Sequence, residues 1–398
     1  MPRVAPRSPA SRRLTLLLAG LALVGASLTA PPVTQTAQAA QTCTSVPFKS
    51  SKRTHKWYRV PSVVGTGGGR VIAFAERRDR PTTDDGNFDI VMRVSSDNGC
   101  HWGSLRVVSN NGKKRVSNPV PVNDPYAGKV VLLTTVLIYN PKTKGYVSQL
   151  HSQRMNLDGS GVTQLSKGLV RPEGWVAGRA MGNSGPGHGV VLRQGTHRGR
   201  IIVPLSRRES STDTYFLYSV YSDDHGSTWH VGYYRSAGKR ALIEGSIAEA
   251  PDGRLLVTYR EKKGTTSYTK PGKNRVLAAS SDGGKTVTPF RTMSGVKTVP
   301  VFGSLLTTTG AKSIMLFSSP DLVNAKRLSS RRGMRIFVST NSGANWHGSV
   351  RIGAKTASAG YSDLVQLNDT TVGIAYEDGY SDGWKQIRFT QVALSRLK

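Results

Sequence analysis

An eight-residue turn occurs four times in the chain and constrains the fold more than any other feature. The first copy is Ser95-Ser96-Asp97-Asn98-Gly99-Cys100-His101-Trp102, which has the skeleton S-x-D-x-G-x-x-W. The other copies are residues 222–229, residues 280–287 with Val287 in place of Trp, and residues 339–346 with Asn341 in place of Asp. Ser and Asp side chains bond to nearby backbone, and Gly accepts a positive φ. Each copy therefore predicts a hairpin turn between two strands.

The spacing of the copies predicts a repeat architecture. Their first residues are 127, 58 and 59 positions apart, so the first interval is about twice the other two. Recurrence at a fixed period indicates that one structural unit is repeated along the chain. We therefore expect a unit without the turn between the first and second copies.

Strand-like runs and turns fill the rest of the chain after residue 40. Runs such as residues 70–75, 200–205 and 371–376 are bounded by Gly, Asp, Asn and Pro, and no long amphipathic helix is predicted. At about 60 residues per unit, residues 41–398 make about six units. The fold class predicted is all-β, a six-bladed β-propeller of four-stranded antiparallel blades, with the run 386–393 pairing with an early strand. A β-sandwich is the alternative, but it does not explain the repeated turn.

Residues 1–39 predict a signal peptide. Four arginines precede the apolar run 14–30, and Ala37-Gln38-Ala39 offers a small-x-small cleavage site, with cleavage near Ala39/Ala40. Ser11-Arg12-Arg13 leaves a twin-arginine signal open beside a Sec signal. The apolar run is marginal for a membrane span, so membrane insertion is not expected. We expect a secreted protein in which residues 41–398 form a single catalytic domain.

The charge balance favours an anionic partner. The chain has 55 basic and 24 acidic residues, and removal of the leader's four arginines leaves a formal net charge of +27. Such a charge attracts anions in a salt-sensitive way. The Lys and Arg residues are scattered and form no nucleic-acid-binding motif, so nucleic acid is not the expected partner. An acidic glycan suits a secreted protein, and attraction to an anionic cell wall stays open.

The chain has two cysteines, Cys43 and Cys100. An even number of cysteines outside the cell is usually bridged, and a disulfide here would join the N-terminus to the first repeated turn. No Cys/His cluster occurs at ligand spacing, so neither a metal nor a cofactor is predicted.

Unusual residues at strand ends carry a resemblance to a known family. They are the segments Tyr58-Arg59-Val60-Pro61, Glu76-Arg77-Arg78, Asp84-Asp85, Ile243-Glu244-Gly245, Tyr259-Arg260, Arg331-Arg332, Gly360-Tyr361 and Tyr376-Glu377. With the repeated turns, their order resembles that of the secreted and lysosomal exo-sialidases (neuraminidases), which are six-bladed propellers. Tyr58-Arg59-Val60-Pro61 is similar to that family's Y/F-R-I-P motif. The resemblance covers nearly all of residues 45–398 and departs from the pattern at Val60, Val287 and Asn341.

This resemblance implies roles for eight residues. They are Arg59, Arg260 and Arg331 as a clamp for the substrate carboxylate, Tyr361 as nucleophile, Glu244 as its base, Asp84 as general acid/base, Glu377 as the partner of Arg59, and Arg78 as a residue lining the pocket. The sequence register leaves Asp85 as the alternative to Asp84, and Arg332 as the alternative to Arg331.

These residue types suit the chemistry of a sialic acid. Its anomeric carbon carries a carboxylate, which guanidinium groups bind through paired, charge-assisted hydrogen bonds. The same carboxylate repels an anionic nucleophile, whereas a neutral tyrosine avoids the repulsion. Because the unperturbed pKa of tyrosine is about 10, it needs a base such as Glu244. Tyrosine is also the known exception among glycosidase nucleophiles, found in sialidases.

The expected function is that of a secreted retaining exo-α-sialidase acting on terminal sialic acid of glycoconjugates. Sialylated or Kdn-containing glycans are the expected partners. A Kdn-preferring sialidase or a trans-sialidase of the same fold would carry the same residues. A non-catalytic propeller lectin that binds acidic glycans is the alternative from another class.

Overall fold

The computed structural model describes residues 42–397, apart from residues 82–83, 85, 113, 142–144, 177–178, 210, 239, 263–274, 311–312, 322–330 and 380–384. Residues Gln41–Lys398 form one compact unit. The predicted signal peptide, its cleavage near Ala39/Ala40, and Asp85 lie outside the described residues and stay predictions.

The described strands form six antiparallel sheets arranged as the blades of a propeller, as predicted. Blade 1 contains β2 (Trp57–Gly67), β3 (Arg70–Arg78), β4 (Phe88–Ser95) and β5 (Arg106–Ser109), and blade 2 contains β6 (Val116–Asp124), β7 (Lys129–Asn140) and β8 (Gly145–Asn156). Blade 3 contains β9 (Asn183–Ser184), β10 (Val190–Val191), β11 (Ile201–Glu209), β12 (Thr214–Ser222) and β13 (His230–Gly238), and blade 4 contains β14 (Leu242–Glu249), β15 (Leu255–Glu261), β16 (Arg275–Ser280) and β17 (Arg291–Thr292). Blade 5 contains β18 (Leu305–Thr307), β19 (Met315–Pro320), β20 (Met334–Ser339) and β21 (His347–Arg351), and blade 6 contains β22 (Ser362–Asn368), β23 (Thr371–Asp378), β24 (Gln386–Ala393) and β1 (Thr44–Lys49).

Two blades vary on the four-stranded plan. Blade 3 has an additional short strand, since both β9 and β10 pair with β11. Blade 2 has three described strands, and a single bridge between His151 and Leu169 stands where a fourth strand would pair. Two short 3-10 helices, Leu165–Lys167 and Leu394–Arg396, complete the described elements. No described helix has the length and apolar character that crossing a bilayer would require.

The N-terminal strand closes the ring. β1 pairs antiparallel with β24, with Thr44 opposite Thr390, so the predicted pairing of the run 386–393 with an early strand is confirmed. Cys43, just before β1, forms a disulfide with Cys100 in the first repeated turn, and their Cα atoms are 5.7 Å apart. The N-terminal strand is thus the outer strand of the last blade, so residues from both ends of the chain form one sheet.

The repeated turn connects the last two strands of blades 1, 3, 4 and 5, and blade 2 is the predicted unit without the turn. In the first copy the Ser95 hydroxyl donates to Asp97 at 2.7 Å and accepts the Gly99 N–H at 2.8 Å. Asp97 also accepts the His101 N–H at 2.9 Å. Burial opposes ionisation of Asp97, but these donors outweigh it and lower its pKa to about 2. The turn aspartates are therefore structural.

Apolar side chains of adjacent blades pack face to face. One core cluster combines Val120 and Val131 of blade 2 with Leu205 and Tyr218 of blade 3, together with Trp229 of the second repeated turn. The tryptophan of a repeated turn thus helps to seal the interface between two blades.

The innermost strand of each blade lies at the central axis, and three of these strands begin with a bulge. Val60, Asn118 and Glu244 have φ values of 54°, 53° and 52°, and the pairing register of β2, β6 and β14 shifts at these residues. A bulge with a left-handed residue redirects the neighbouring side chains. We call the face on which β2, β6 and β14 begin the entry face; the repeated turns lie on the opposite face.

A buried carboxylate connects several blades at the axis. Asp363 accepts the Val63 N–H at 2.8 Å and the Ser304 hydroxyl at 2.7 Å, and it lies 2.8 Å from Nδ1 of His188. Burial opposes the charged form of His188, but Asp363 outweighs burial and raises its pKa. His188 therefore belongs to a structural network that holds the inner strands together.

Candidate active site

Blades 4 and 6 bring three of the predicted site residues into direct contact. Tyr361 precedes β22, Glu244 lies in the bulge of β14, and Arg260 on β15 is paired with Ile243. The Tyr361 hydroxyl donates to Oε1 of Glu244 at 2.6 Å and accepts Nη2–H of Arg260 at 3.0 Å. Arg260 also donates to Glu244 at 2.8 Å. The phenol is therefore aligned with a carboxylate that can receive its proton.

The surroundings of Tyr361 keep it protonated in the ligand-free protein. Its side chain is buried, and burial raises the pKa of Tyr361 well above the ordinary value of tyrosine. Arg260 acts in the opposite direction, whereas the negative charge of Glu244 raises the pKa further. A base must therefore take the proton if this oxygen is to act as a nucleophile.

Three arginines surround the Tyr361 ring. The guanidinium carbons of Arg59, Arg260 and Arg331 lie 5.9, 5.9 and 5.5 Å from its centroid. Three positive charges around one phenol form a strong site for an anion. The structure thus brings the three predicted clamp arginines together from blades 1, 4 and 5.

A fully buried carboxylate orients one of these arginines. Glu377 accepts Nε–H of Arg59 at 3.1 Å and also the backbone N–H groups of Val60 at 3.0 Å and Tyr361 at 3.1 Å. Burial opposes its ionisation, but Arg59 and the N–H donors outweigh burial and lower the pKa of Glu377. Glu377 therefore links the start of β2 to the start of β22.

Asp84 and Arg78 form the outer edge of the site. Nη1 of the buried Arg78 donates to Asp84 at 2.9 Å, and the Asp84 side chain is 82% exposed. Partial desolvation by neighbouring protein atoms opposes ionisation of Asp84, but Arg78 and Arg59 outweigh this effect and lower its pKa. The carboxylate is therefore ionised in the ligand-free protein and open to an incoming molecule.

The two neighbouring arginines at the start of β20 point to different environments. Arg331 is half-buried and faces Tyr361. Arg332 is exposed, and its Nη1 donates to the carbonyl of Thr356 at 2.8 Å. The geometry thus favours Arg331 as the arginine of the pocket.

Sequence reasoning missed the role of Glu76. This buried carboxylate accepts Nε–H of Arg78 at 2.8 Å and the backbone N–H of Asn118 at 2.9 Å. It therefore holds Arg78 and the bulge of β6 together. Its position in the Glu76-Arg77-Arg78 segment was the available signal, because a carboxylate directly before two strand-end arginines is suited to pairing with one of them.

Arg275 was also missed, and it is an unusual residue. It is paired with Arg260 across β15 and β16 and is fully buried. Its Nη2 donates to the carbonyl of Val301, whereas Nε and Nη1 have no hydrogen-bond partner among the described residues. Burial, and next the charge of Arg260, lower the pKa of Arg275 to about 9. No sequence signal distinguishes it from the other basic residues.

Arg275→Met is expected to raise the free energy of unfolding by about 1–3 kcal/mol, because it removes buried, unpaired N–H groups and a charge. Equilibrium urea denaturation measures this change. Arg254→Met is the matched control, since Arg254 pairs with Asp252 at the surface and should change stability little. A loss of stability in Arg275→Met would contradict the interpretation that this guanidinium is destabilising.

Among the described residues, no three His, Cys, Asp or Glu side chains gather where they could hold a metal ion.

The fold and the site define a six-bladed propeller with an arginine-lined axial pocket around a Tyr–Glu pair. Residues 69–374 match the BNR repeat-like domain. The chain therefore belongs to the BNR repeat-like family.

Known relatives are similar to this chain in sequence, and solved structures are similar to it in fold. The sialidase of Micromonospora viridifaciens is 26% identical over 348 residues, which cover 81% of this chain and 50% of that protein. The chain thus spans half the length of this relative. The Hadza microbial sialidase Hz136 has a similar fold, with a TM-score of 0.69, 22% identity, and coverage of 88% of this chain and 68% of that one. A leech intramolecular trans-sialidase superimposes with a TM-score of 0.67 at 18% identity, covering 90% of this chain and 71% of that chain.

Proposed function

We propose that the protein is a retaining exo-α-sialidase that releases terminal sialic acid from glycoconjugates through a tyrosyl-enzyme intermediate. The observation that carries this proposal is the 2.6 Å hydrogen bond from Tyr361 to Glu244 inside a ring of three arginines. The sialidase from Micromonospora viridifaciens supports the same activity class.

The arginines would hold the substrate carboxylate beside Tyr361. Glu377 orients Arg59 and Glu244 orients Arg260, so these guanidinium groups are positioned before the substrate arrives. Pre-oriented guanidinium groups bind a carboxylate with little loss of side-chain freedom. The substrate's anomeric carbon would then lie next to the Tyr361 hydroxyl.

In the first step, the Tyr361 oxygen attacks the anomeric carbon while Glu244 takes the hydroxyl proton. The glycosidic bond breaks, and the departing oxygen receives a proton from Asp84. Asp84 must be protonated to act in this step. The negative charge of a bound substrate carboxylate would favour that form by opposing the arginines that lower its pKa.

In the second step, water attacks the anomeric carbon and Asp84 takes a proton from this water. The bond to Tyr361 breaks, and the phenolate oxygen regains its proton from Glu244. Two displacements at one carbon restore the original configuration, so the product is expected to have the retained anomeric form.

Product analysis separates this reaction from its alternatives. The secreted protein is incubated with a fluorogenic N-acetylneuraminic acid glycoside and with its Kdn counterpart, and the products are followed by NMR. Release of the retained anomer supports the proposal, and the ratio of the two rates gives the preference between the sugars. A transferred or anhydro sugar would instead identify a trans-sialidase. Binding of sialyl-lactose without cleavage of either glycoside would identify a lectin.

Export by a Sec or twin-arginine signal is part of the proposal. The arginines before the apolar run 14–30, and the disulfide between Cys43 and Cys100, support an extracellular destination. N-terminal sequencing of the secreted protein should give a first residue near Ala40 or Gln41.

Arg331→Ala is expected to lower kcat/KM by about 10²-fold or more, because an ionic contact to the substrate carboxylate is lost in a largely buried pocket. Steady-state kinetics on an aryl sialoside measures the effect. Arg332→Ala is the matched control and should change kcat/KM little, since Arg332 contacts the Thr356 carbonyl. The reverse pattern would move the third clamp arginine to Arg332.

A further inference from the structure

A strongly basic surface lies on the entry face, at blade 1 and the adjoining end of β1 in blade 6. Its members, which we call the basic rim, come from three adjacent segments of the chain: the end of β1 with the connection to β2, the connection from β3 to β4, and the connection from β5 to β6. They are Lys49, Lys52, Arg53, Lys56, Arg80 and Lys114.

The pairing of strands shows that these segments lie on the same face as the pocket. Lys49 is paired with Gln386, which is in turn paired with Asp378, the residue after Glu377. Trp57 is paired with Arg78, so the connection that follows β3 lies beside the start of β2.

The rim charges are exposed and lack ion-pair partners among the described residues. The described acidic residues of the same three connections are Asp79 and Asp84, and Asp84 is already paired with Arg78. At the opposite end of the blade, the described charged residues are Asp97 beside His101 and the basic residues Arg70 and Arg106. The excess positive charge of blade 1 is therefore concentrated on the face that carries the pocket.

The rim is close enough to the pocket for one substrate molecule to contact both. Lys56 precedes Arg59 by three residues, which corresponds to about 10 Å along a strand. Arg80 lies on the connection that carries Asp84, where the departing group of a substrate would be protonated.

We propose that the basic rim binds anionic groups on the leaving part of the substrate, so that the protein prefers polyanionic glycans, in which the sugars next to the cleaved sialic acid carry a sulfate or a carboxylate. This inference rests on the proposed function for the identity of the cleaved sugar. Clustered exposed cations raise the local concentration of an anion and speed its capture, and salt screens the effect.

The test compares 3′-sialyl-lactose with the same trisaccharide carrying a sulfate on galactose. The two substrates share the cleaved bond and differ in one anionic group. At about 10 mM salt, where screening extends over about 30 Å, the kcat/KM of the wild type should be about tenfold higher for the sulfated substrate. Near 1 M salt, where the screening length is about 3 Å, the ratio should approach one.

The variant Lys52→Ser/Arg53→Ser/Lys56→Ser should reduce this ratio to about one at low salt and leave kcat/KM for unsulfated sialyl-lactose within about threefold of wild type. The matched control is Arg106→Ser/Lys129→Ser/Lys285→Ser, which removes the same charge near the opposite face and should keep the tenfold ratio. A ratio near one in the wild type, or an equal loss of the ratio in both triple variants, would overturn the inference.

Failure of the proposed function gives a different result. In that case the wild type cleaves neither substrate, and calorimetric binding of the sulfated trisaccharide becomes the readout. If the rim variant binds the sulfated trisaccharide about tenfold more weakly than wild type and the control variant binds it equally well, the result supports the interaction surface without the activity. Equal binding by both variants would reject the surface as well.

Discussion

Tyr361→Phe is expected to abolish turnover, with kcat lowered by about 10³-fold or more, while the fold and the affinity for substrate stay nearly unchanged. The phenylalanine ring retains the packing of Tyr361 against Phe302 and its place among the three arginines. The substitution removes only the oxygen that is 2.6 Å from Glu244. Steady-state kinetics on an aryl sialoside gives kcat, and calorimetry with sialyl-lactose gives the affinity.

Tyr58→Phe is the matched control for this substitution. It makes the same chemical change next to Arg59, outside the contact with Glu244, and should retain most of the wild-type rate. A wild-type rate in Tyr361→Phe would show that the nucleophile is another group. A loss of affinity equal to the loss of kcat/KM would instead show that the hydroxyl acts mainly in binding.

Asp84→Ala is expected to slow the cleavage of sialyl-lactose by about 10²–10⁴-fold while sparing much of the activity on an aryl sialoside with an acidic phenol. A sugar leaving group needs a proton as the bond breaks, whereas the phenolate of an acidic phenol leaves without one. The exposed position of Asp84 at the pocket edge, paired with Arg78, suits contact with the leaving group. The ratio of the two rates in one variant measures the need for an acid.

Asp85→Ala is the neighbouring control, and both of its rates should stay close to wild type. If Asp85→Ala showed the dependence on the leaving group, the acid would be Asp85 and the register of this loop would shift by one residue. If neither variant distinguished the two substrates, the acid would lie elsewhere in the pocket.

The sequence by itself determined the architecture. A turn whose Ser, Asp and Gly satisfy its own backbone is a local structure, so its spacing along the chain predicted the number of units and located a unit without the turn, blade 2, between the first and second copies. The strand-like run 386–393 predicted β24 and its pairing with an early strand, and the presence of two cysteines was sufficient to predict the disulfide. The turns and strands depend on residues close together in the chain, and two cysteines allow only one intramolecular disulfide. Both kinds of feature can be read directly from a sequence.

Only the tertiary structure decided how the site is assembled. Tyr361 is 117 residues from Glu244, and Arg59 is 318 residues from Glu377, yet closure of the ring brings each pair into hydrogen-bond contact. The sequence register could not separate Arg331 from Arg332, because the orientation of a side chain depends on what packs around it; the structure turns Arg331 toward Tyr361.

Buried charges were the least visible features in the sequence. Glu76, Asp363 and Arg275 look like ordinary charged residues. Only their surroundings reveal that the first two connect blades, and that Arg275 is buried with two guanidinium nitrogens unpaired among the described residues. The free energy of a charge depends on solvent and partners supplied by distant strands. These surroundings form only when the six blades pack around the axis, so no local sequence pattern predicts which charges are buried.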